Sequence, residues 1–213
     1  MKIYQIWYDD ISKSHIDTNF ISFDNTNPEK PNEFEYGVMR KIYHSECWSD
    51  INYLGILSWK FKQKTHINAN TAINFINKNP GYDVYTFNPF HYAKNIQSVW
   101  LQGELCHPGI LDLTKFLFTK ANIDINILSI PQTTTMHCFC NYWVANKKFW
   151  DTYMSYTEKL YAVIYDNEQH ILDKLFIIQA DVQIKSGMFS FIFERMFSTV
   201  VAAHQFNIKP YFI

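Results

Sequence analysis

A run of lysines follows a buried apolar segment in the first third of the chain. Residues 53–57 are apolar, and Lys60, Lys62 and Lys64 alternate with other residues directly after them. Because side chains alternate between the two faces of a strand, Ser58 and the three lysines are predicted to share one face. At about 3.3 Å per residue, the lysines would form a row roughly 13 Å long, suited to binding a diphosphate. The alternative is a solvated edge strand whose lysines prevent aggregation.

A second candidate site is the segment 102–109, which holds one carboxylate and one imidazole among two glycines and a proline. This composition predicts a loop, and loops held by a rigid sheet commonly carry functional residues. Glu104 and His107 could act as a general base or bind a hydroxyl group. A pair without further ligands is little indication of a metal site. The alternative is a loop with a structural role only.

Acidic and amide side chains follow the first predicted strand and the segment after it. Asp9 and Asp10 come directly after residues 2–8, at the position where open α/β sheets bind their ligands. Asp24 and Asn25 begin a polar stretch with two prolines and could bind hydroxyl groups. The alternatives are a capping role for Asp9 or Asp10 and an Asx-turn at Asp24.

Two more polar positions stand out in the second half of the chain. Asn141 is the polar residue in a predicted strand over 136–145, and a buried amide costs free energy unless it is paired. Glu194 and Arg195 lie on the polar side of a helix predicted over 189–203. The alternative for the latter pair is a solvated helix face.

The composition limits the class of protein. The 213 residues are 47% hydrophobic, 18% aromatic and 18% charged, which predicts one domain over 1–213 with a large core. Most aromatic rings should be buried, and some could stack on sugar rings or nucleobases. The net charge of −1 disfavours general binding of nucleic acid, which needs a broad basic surface.

No apolar run approaches the roughly 18 residues of a membrane-spanning helix, and the N-terminal segment has the pattern of a strand rather than of a signal peptide. We therefore expect a cytoplasmic protein whose four cysteines are reduced thiols. Cys138 and Cys140 have no second pair of cysteines, so core thiols are favoured over a zinc site. Any membrane contact would be peripheral, and residues 208–213 form the apolar tail that could make it.

The hydrophobic pattern places these residues on an α/β fold. Strands are predicted at 2–8, 16–23, 53–66, 83–90, 123–130, 136–145 and 180–184, and helices at 33–45, 70–80, 110–119, 147–165, 166–180 and 189–203. Asn32 is predicted to cap the first helix, with Glu35 as its capping-box partner. Strands and helices alternate over the first ninety residues. This order predicts a central, mostly parallel sheet flanked by helices in a Rossmann-type three-layer arrangement.

The order of these segments resembles that of bacterial glycosyltransferases from capsular and lipopolysaccharide gene clusters, which have a GT-A-like nucleotide-sugar fold. The segments that carry the resemblance are Glu33-Phe34-Glu35-Tyr36, Gly55-Ile56-Leu57-Ser58-Trp59-Lys60-Phe61, Tyr82-Asp83-Val84 with Pro89, Cys140-Asn141-Tyr142 followed by Phe149 and Tyr153, and Glu194-Arg195. The Asp-x-Asp metal signature typical of that fold is missing, because Ser58, Trp59 and Lys60 stand in its place. The resemblance therefore does not imply a bound manganese or another cofactor.

The resemblance implies transfer of a sugar from a nucleotide-activated donor to a glycan acceptor in surface polysaccharide biosynthesis. Negative charge that builds on the leaving phosphate needs a cation, and Lys60 and Lys62 could supply it in place of a metal. The resemblance makes Glu104 or His107 the candidate catalytic base. The nucleotide and sugar contacts would include Tyr8, Asp9, Asp10, Asp24, Asn25, Asn141 and Glu194. The alternatives are a non-catalytic carbohydrate-binding module and a scaffold of a polysaccharide assembly complex.

Overall fold

The computed structural model describes residues 1–90, 96–166, 169–176 and 187–212. The strands in these ranges are β1 (Lys2–Trp7), β2 (Ile21–Asp24), β3 (Tyr53–Ser58), β4 (Val84–Thr86), β5 (Trp143–Asn146) and β6 (Ile208–Pro210). They form one sheet in the order β2-β1-β3-β5-β4-β6. β5 is antiparallel to both of its neighbours, and the other pairings are parallel. The prediction of an α/β fold with a mostly parallel sheet is confirmed.

The helices are α1 (Asp10–Lys13), α2 (Phe34–Ser45), α3 (Phe61–Thr65), α4 (Ala69–Lys78), α5 (Val99–Cys106), α6 (Ile110–Lys120), α7 (Lys147–Asp166), α8 (Gln169–Phe176) and α9 (Met188–His204). The predicted helices at 33–45, 110–119, 147–165 and 189–203 correspond to α2, α6, α7 and α9. Each has apolar residues at the three- to four-residue spacing of a helix with one buried face.

Helices cover both faces of the sheet. On one face, Trp143 of β5 contacts Trp150 of α7 and Phe197 of α9. On the other face, Tyr85 of β4 contacts Phe75 of α4. Tyr85 pairs with the residue after Trp143, and successive residues on a strand point to opposite faces. Helices therefore flank the sheet on both sides, as the predicted three-layer arrangement requires.

Aromatic side chains dominate the core, which forms one continuous cluster of buried residues. Among the largest side chains without solvent exposure are Trp143, Trp150, Tyr85 and Tyr153. Fully burying one such side chain contributes about 1.5–3 kcal/mol. The high aromatic content of the sequence is therefore accounted for mainly by the core, as expected.

The prediction of an alternating strand through residue 66 is wrong. β3 ends at Ser58, and α3 follows it. Phe61 and Thr65 are both fully buried, and the Thr65 hydroxyl donates to the Phe61 carbonyl at 2.7 Å. A spacing of four residues between buried positions is that of a helix. Lys60 and Lys64 therefore share one side of this turn, and Lys62 does not join them in a row.

Other local predictions are also corrected. The segment predicted as a loop at 102–109 begins inside α5, and the strand predicted at 123–130 is a short 3-10 helix, Ile125–Ser129. Glu33 rather than Asn32 precedes α2, and no side chain caps its N-terminus. The capping role predicted for Glu35 is therefore wrong. The strand predicted at 180–184 lies outside the described residues.

The C-terminal segment contributes to the sheet. Ile208–Pro210 forms the edge strand β6, which pairs with β4, and Phe212 beyond it is 75% exposed. In the part of the chain that the structure describes, no helix is both long and apolar enough to cross a membrane.

Candidate functional site

A cavity of about 750 Å³ lies at the edge of the sheet where the parallel strands end. Its lining includes Tyr8 after β1, Ser58 at the end of β3, Phe90 beyond β4 and Asn141 just before the antiparallel β5. Open α/β sheets bind ligands in the crevice outside the carboxyl ends of their strands. The volume falls within the range of small-molecule sites, roughly 300–1,000 Å³.

The remaining walls come from the ends of helices α2, α3, α5 and α9 and from the turn before β5. The cavity residues that lie in these helices or directly next to them are Phe34, Glu35, Lys60, Lys64, Gln102, Cys106, His107, Ser190, Phe191, Glu194 and Arg195. Trp59, Phe139 and Cys140 complete the turns between helices and strands. The cavity therefore combines amines, carboxylates and aromatic rings from segments that are far apart in the sequence.

Two half-buried carboxylates, Glu35 and Glu194, line the cavity. Burial raises the pKa of Glu35, and the charge of Glu194 raises it further, while Lys64 and Lys60 act in the opposite direction. Burial also raises the pKa of Glu194, against the charge of Arg195. The backbone N–H of Cys140 donates to Oε2 of Glu194 at 2.8 Å. Both carboxylates are thus better proton acceptors than exposed ones.

Two amines, those of Lys60 and Lys64, line the same cavity. Nζ of Lys64 donates to Sγ of Cys140 at 3.1 Å. Desolvation lowers the pKa of Lys64, but Cys140, Glu194 and Glu35 outweigh it and raise the pKa overall. Lys64 is therefore an ammonium group at neutral pH. All three lysines are exposed, but Lys62 is not among the cavity residues.

The turn before β5 has an unusual backbone. Cys140 and Asn141 have φ angles of 64° and 55°, the left-handed region that costs non-glycine residues about 1–3 kcal/mol each. The turn brings the Cys140 backbone N–H to Glu194 and leaves the Asn141 side chain in the cavity lining. The strand predicted over 136–145 is therefore confined to its end, because β5 begins at Trp143.

Four buried polar atoms in the cavity lining lack a hydrogen-bond partner among the described residues. They are Oη of Tyr8, Nδ1 of His107, Oδ1 of Asn141 and Oγ of Ser190. A buried polar atom without a partner costs about 1–3 kcal/mol. Such atoms, gathered in one cavity, indicate a site for a ligand that carries hydrogen-bonding groups.

The two predicted catalytic residues are separated in the structure. Oε1 and Oε2 of Glu104 accept from the backbone N–H groups of Gly109 and Leu111 at 2.7 and 3.0 Å, which lowers the pKa of Glu104. Glu104 thus caps α6 and does not line the cavity. His107 does line it. Burial, aided by Arg195, lowers the pKa of His107 to about 4, so its imidazole is neutral at pH 7.

Five predicted binding residues lie outside the cavity lining: Asp9, Asp10, Asp24, Asn25 and Lys62. Asp9 caps α1 by accepting from the Ser12 backbone N–H at 2.7 Å, and Asp10 is exposed in the first turn of that helix. Asp24 accepts from the backbone N–H of Thr26 at 2.9 Å. These contacts are the capping and turn roles that the sequence offered as alternatives. The cavity lining does contain the other four predicted binding residues, which are Tyr8, Lys60, Asn141 and Glu194.

The sequence reasoning missed Glu35 as a site residue because its position near the helix start suggested a cap. The sequence pattern places Lys64 in the lysine row but does not single it out as a binding residue. The signal for Glu35 was its place in Glu33-Phe34-Glu35-Tyr36, one of the segments that carry the resemblance to glycosyltransferases.

Comparison of the chain with protein-family models, curated proteins and solved structures finds no match. Across the described ranges, no group of three or more His, Cys, Asp or Glu side chains is arranged to hold a metal ion.

Proposed function

We propose that this protein is a cytoplasmic glycosyltransferase with a GT-A-like fold that moves a sugar from a nucleotide-activated donor to a glycan acceptor in surface polysaccharide biosynthesis. The observation that carries the proposal is the meeting of two amines, two carboxylates of raised pKa and several aromatic rings in one cavity. Glu35, Lys60, Asn141 and Glu194 belong to separate segments of the resemblance. Their convergence at the carboxyl edge of the sheet supports the proposal.

The lysines account for the leaving group. Breaking the bond between the anomeric carbon and the donor phosphate leaves negative charge on the nucleoside diphosphate. The ammonium groups of Lys60 and Lys64, both in the cavity lining, are placed to neutralise it. Fixed ammonium groups act as point charges and can take over this task from a divalent metal. Lys64 replaces Lys62 in the role that the sequence assigned to the lysine row.

Glu35 is the proposed general base. The acceptor hydroxyl gives its proton to the Glu35 carboxylate while its oxygen forms the new bond to the anomeric carbon. A base works best when its pKa lies near the operating pH, and burial raises the pKa of Glu35 in that direction. Glu194 is fixed by the Cys140 N–H and is proposed to bind a sugar hydroxyl.

The aromatic lining suits the flat parts of a nucleotide sugar. Besides Tyr8 and His107, the rings in the cavity are those of Phe34, Trp59, Phe90, Phe139 and Phe191. Apolar ring faces stack on nucleobases and on the apolar faces of pyranose rings. Aromatic rings combined with a limited number of polar and charged groups are typical of a small-molecule site.

Calorimetric titration with a panel of nucleoside diphosphates and nucleotide sugars, with and without Mn²⁺, tests the proposal. Lys64→Ala should weaken nucleotide binding by about tenfold or more, because it removes a charged hydrogen-bond donor. Lys62→Ala is the matched control: it changes the same residue type in the same helix outside the cavity, and it should leave the affinity unchanged. Thermal unfolding of each variant checks that the fold is intact.

The alternatives give different results. Folded wild-type protein that binds none of these nucleotides would reject the transferase proposal. Binding of free glycans without binding of nucleotides would favour the carbohydrate-binding module. A protein that binds neither ligand, and whose function does not change on Glu35→Gln, would favour the scaffold.

A further inference from the structure

The unpartnered polar atoms of the cavity fall on two walls. The sheet wall consists of Tyr8, Lys64 and Asn141, which lie at the carboxyl edge of the sheet and in the elements next to it. The helix wall consists of His107 at the end of α5 with Ser190 and Phe191 of α9. Each wall offers two buried polar atoms without a partner among the described residues. The ammonium group belongs to the sheet wall.

The helix wall is firmly packed. The His107 imidazole stacks on the Phe191 ring with 3.6 Å between centroids and 15° between planes. His107 is only 6% exposed, although its Nδ1 has no partner in the described part of the chain. Oγ of Ser190 lies on the same wall and is also buried without a partner among the described residues. The wall therefore presents the edges of two stacked rings, together with two groups that can bind hydroxyls.

Arg195, the cation next to this wall, also lines the cavity, but it is engaged by the protein. Nε, Nη1 and Nη2 of Arg195 donate to the carbonyls of Val99 and Phe191 and to Oε1 of Gln102 at 2.9, 3.0 and 2.7 Å. Arg195 is 3% exposed, so it joins α9 to α5. His107 adds no charge near neutral pH, because burial and Arg195 lower its pKa to about 4. The polar groups that this wall presents are neutral.

We propose that the helix wall is a subsite for an uncharged, hydroxyl-bearing sugar ring, separate from the sheet wall that takes the diphosphate. Ring hydroxyls pair with Nδ1 of His107 and Oγ of Ser190, and the sugar ring packs against the edges of the stacked His107 and Phe191 rings. The assignment of this ring to the acceptor rests on the proposed transferase function. The existence of the subsite rests on the wall itself.

Saturation-transfer NMR with free pyranosides tests the subsite without a nucleotide. The probes are methyl glucopyranoside, methyl galactopyranoside, N-acetylglucosamine and glucuronic acid, with dissociation constants measured by titration. Wild-type protein should bind at least one neutral ring more tightly than glucuronic acid. Ser190→Ala and His107→Phe should each weaken that binding by about threefold to tenfold, the effect of one lost neutral hydrogen bond.

Control variants separate this subsite from the diphosphate site. Ser155→Ala changes an exposed serine of α7 that does not line the cavity and should leave every affinity unchanged. His107→Phe keeps an aromatic ring in place of the imidazole, so the packing on Phe191 is preserved. Ser190→Ala should also leave nucleoside diphosphate binding unchanged, whereas Lys64→Ala should weaken it and spare the free ring.

The inference is overturned if no free pyranoside receives saturation from the protein, if glucuronic acid binds more tightly than the neutral rings, or if both variants bind like wild type. A protein that binds neutral rings through Ser190 and His107 but binds no nucleoside diphosphate would retain the subsite. In that case the transferase proposal is the one that fails.

Discussion

Replacing Gly103 with alanine tests the contact between α5 and α9 that builds one wall of the cavity. At an exposed position inside a helix, this change stabilises a protein by about 1 kcal/mol, because alanine has the higher helix propensity. Gly103 is buried. A Cβ added there would lie 2.5 Å from Nε and 3.1 Å from Cζ of Arg195. Both distances are shorter than van der Waals contact, so the guanidinium must move.

The guanidinium has little freedom to move. Arg195 is 3% exposed and donates three hydrogen bonds, to Val99, Phe191 and Gln102. Overpacking of a core costs about 1–3 kcal/mol, and losing one hydrogen bond from a charged donor costs about 1.5–3 kcal/mol. After the gain in helix propensity is subtracted, we expect Gly103→Ala to lower the free energy of unfolding by about 1.5–5 kcal/mol.

Urea denaturation followed by fluorescence and circular dichroism measures this free energy. The slope of the transition should match that of wild type, because the same surface is exposed on unfolding. In an Arg195→Ala background the steric conflict is absent, so Gly103→Ala should then stabilise by about 1 kcal/mol. A Gly103→Ala variant that is more stable than wild type in the native background would refute the reasoning.

Two further predictions follow from the pKa shifts. Because burial raises the pKa of Glu35 in the folded state, the folded protein binds more protons than the unfolded chain, and stability falls as pH rises through this range. Glu35→Gln should therefore melt at a higher temperature than wild type at about pH 7, and the two melting temperatures should converge below about pH 4. The variant should also lose transfer activity. Equal melting temperatures at about pH 7 would contradict this prediction. The pKa of His107 is lowered to about 4, so its stabilising contribution is complete above the unfolded value of about 6.5 and is lost as pH falls towards 4. An NMR titration should show this imidazole neutral at about pH 5.5, and a midpoint above pH 6 would show the prediction to be wrong.

The parts of the fold that the sequence predicted are those that a local pattern determines. α2, α7 and α9 each carry buried side chains three or four residues apart, and only a helix places these on one side. β1 and β3 are short apolar runs of the length that a buried parallel strand needs. Their parallel pairing follows from the helix between them, because parallel neighbours need a crossover connection.

The segment after β3 shows where local patterns become ambiguous. Trp59, Phe61 and the lysines alternate as in a strand, but Phe61 and Thr65 also have helical spacing. Contacts from distant elements decide between the two. Phe61 packs against Phe20, Phe87 and Tyr142, which requires its ring to enter the core at a turn of helix. This choice determines that Lys64, rather than Lys62, reaches the cavity.

The sequence predicted the carboxylate pair only in part, because its two members come from opposite ends of the chain. Glu35 precedes the apolar spacing of α2, where a capping role is the common explanation. Glu194 carries a different signal. Helix α9 is buried on nearly all sides, including Phe193, Arg195 and Met196.

A helix that is apolar all round lies in the interior, so it has no solvated face on which a charged residue could lie. The carboxylate and the guanidinium of α9 must then face either partners or an internal cavity. Arg195 has its partners in α5. Glu194 accepts one backbone N–H and otherwise lines the cavity. A charged pair inside an apolar helix is therefore the sequence feature that best indicates an internal site in this chain.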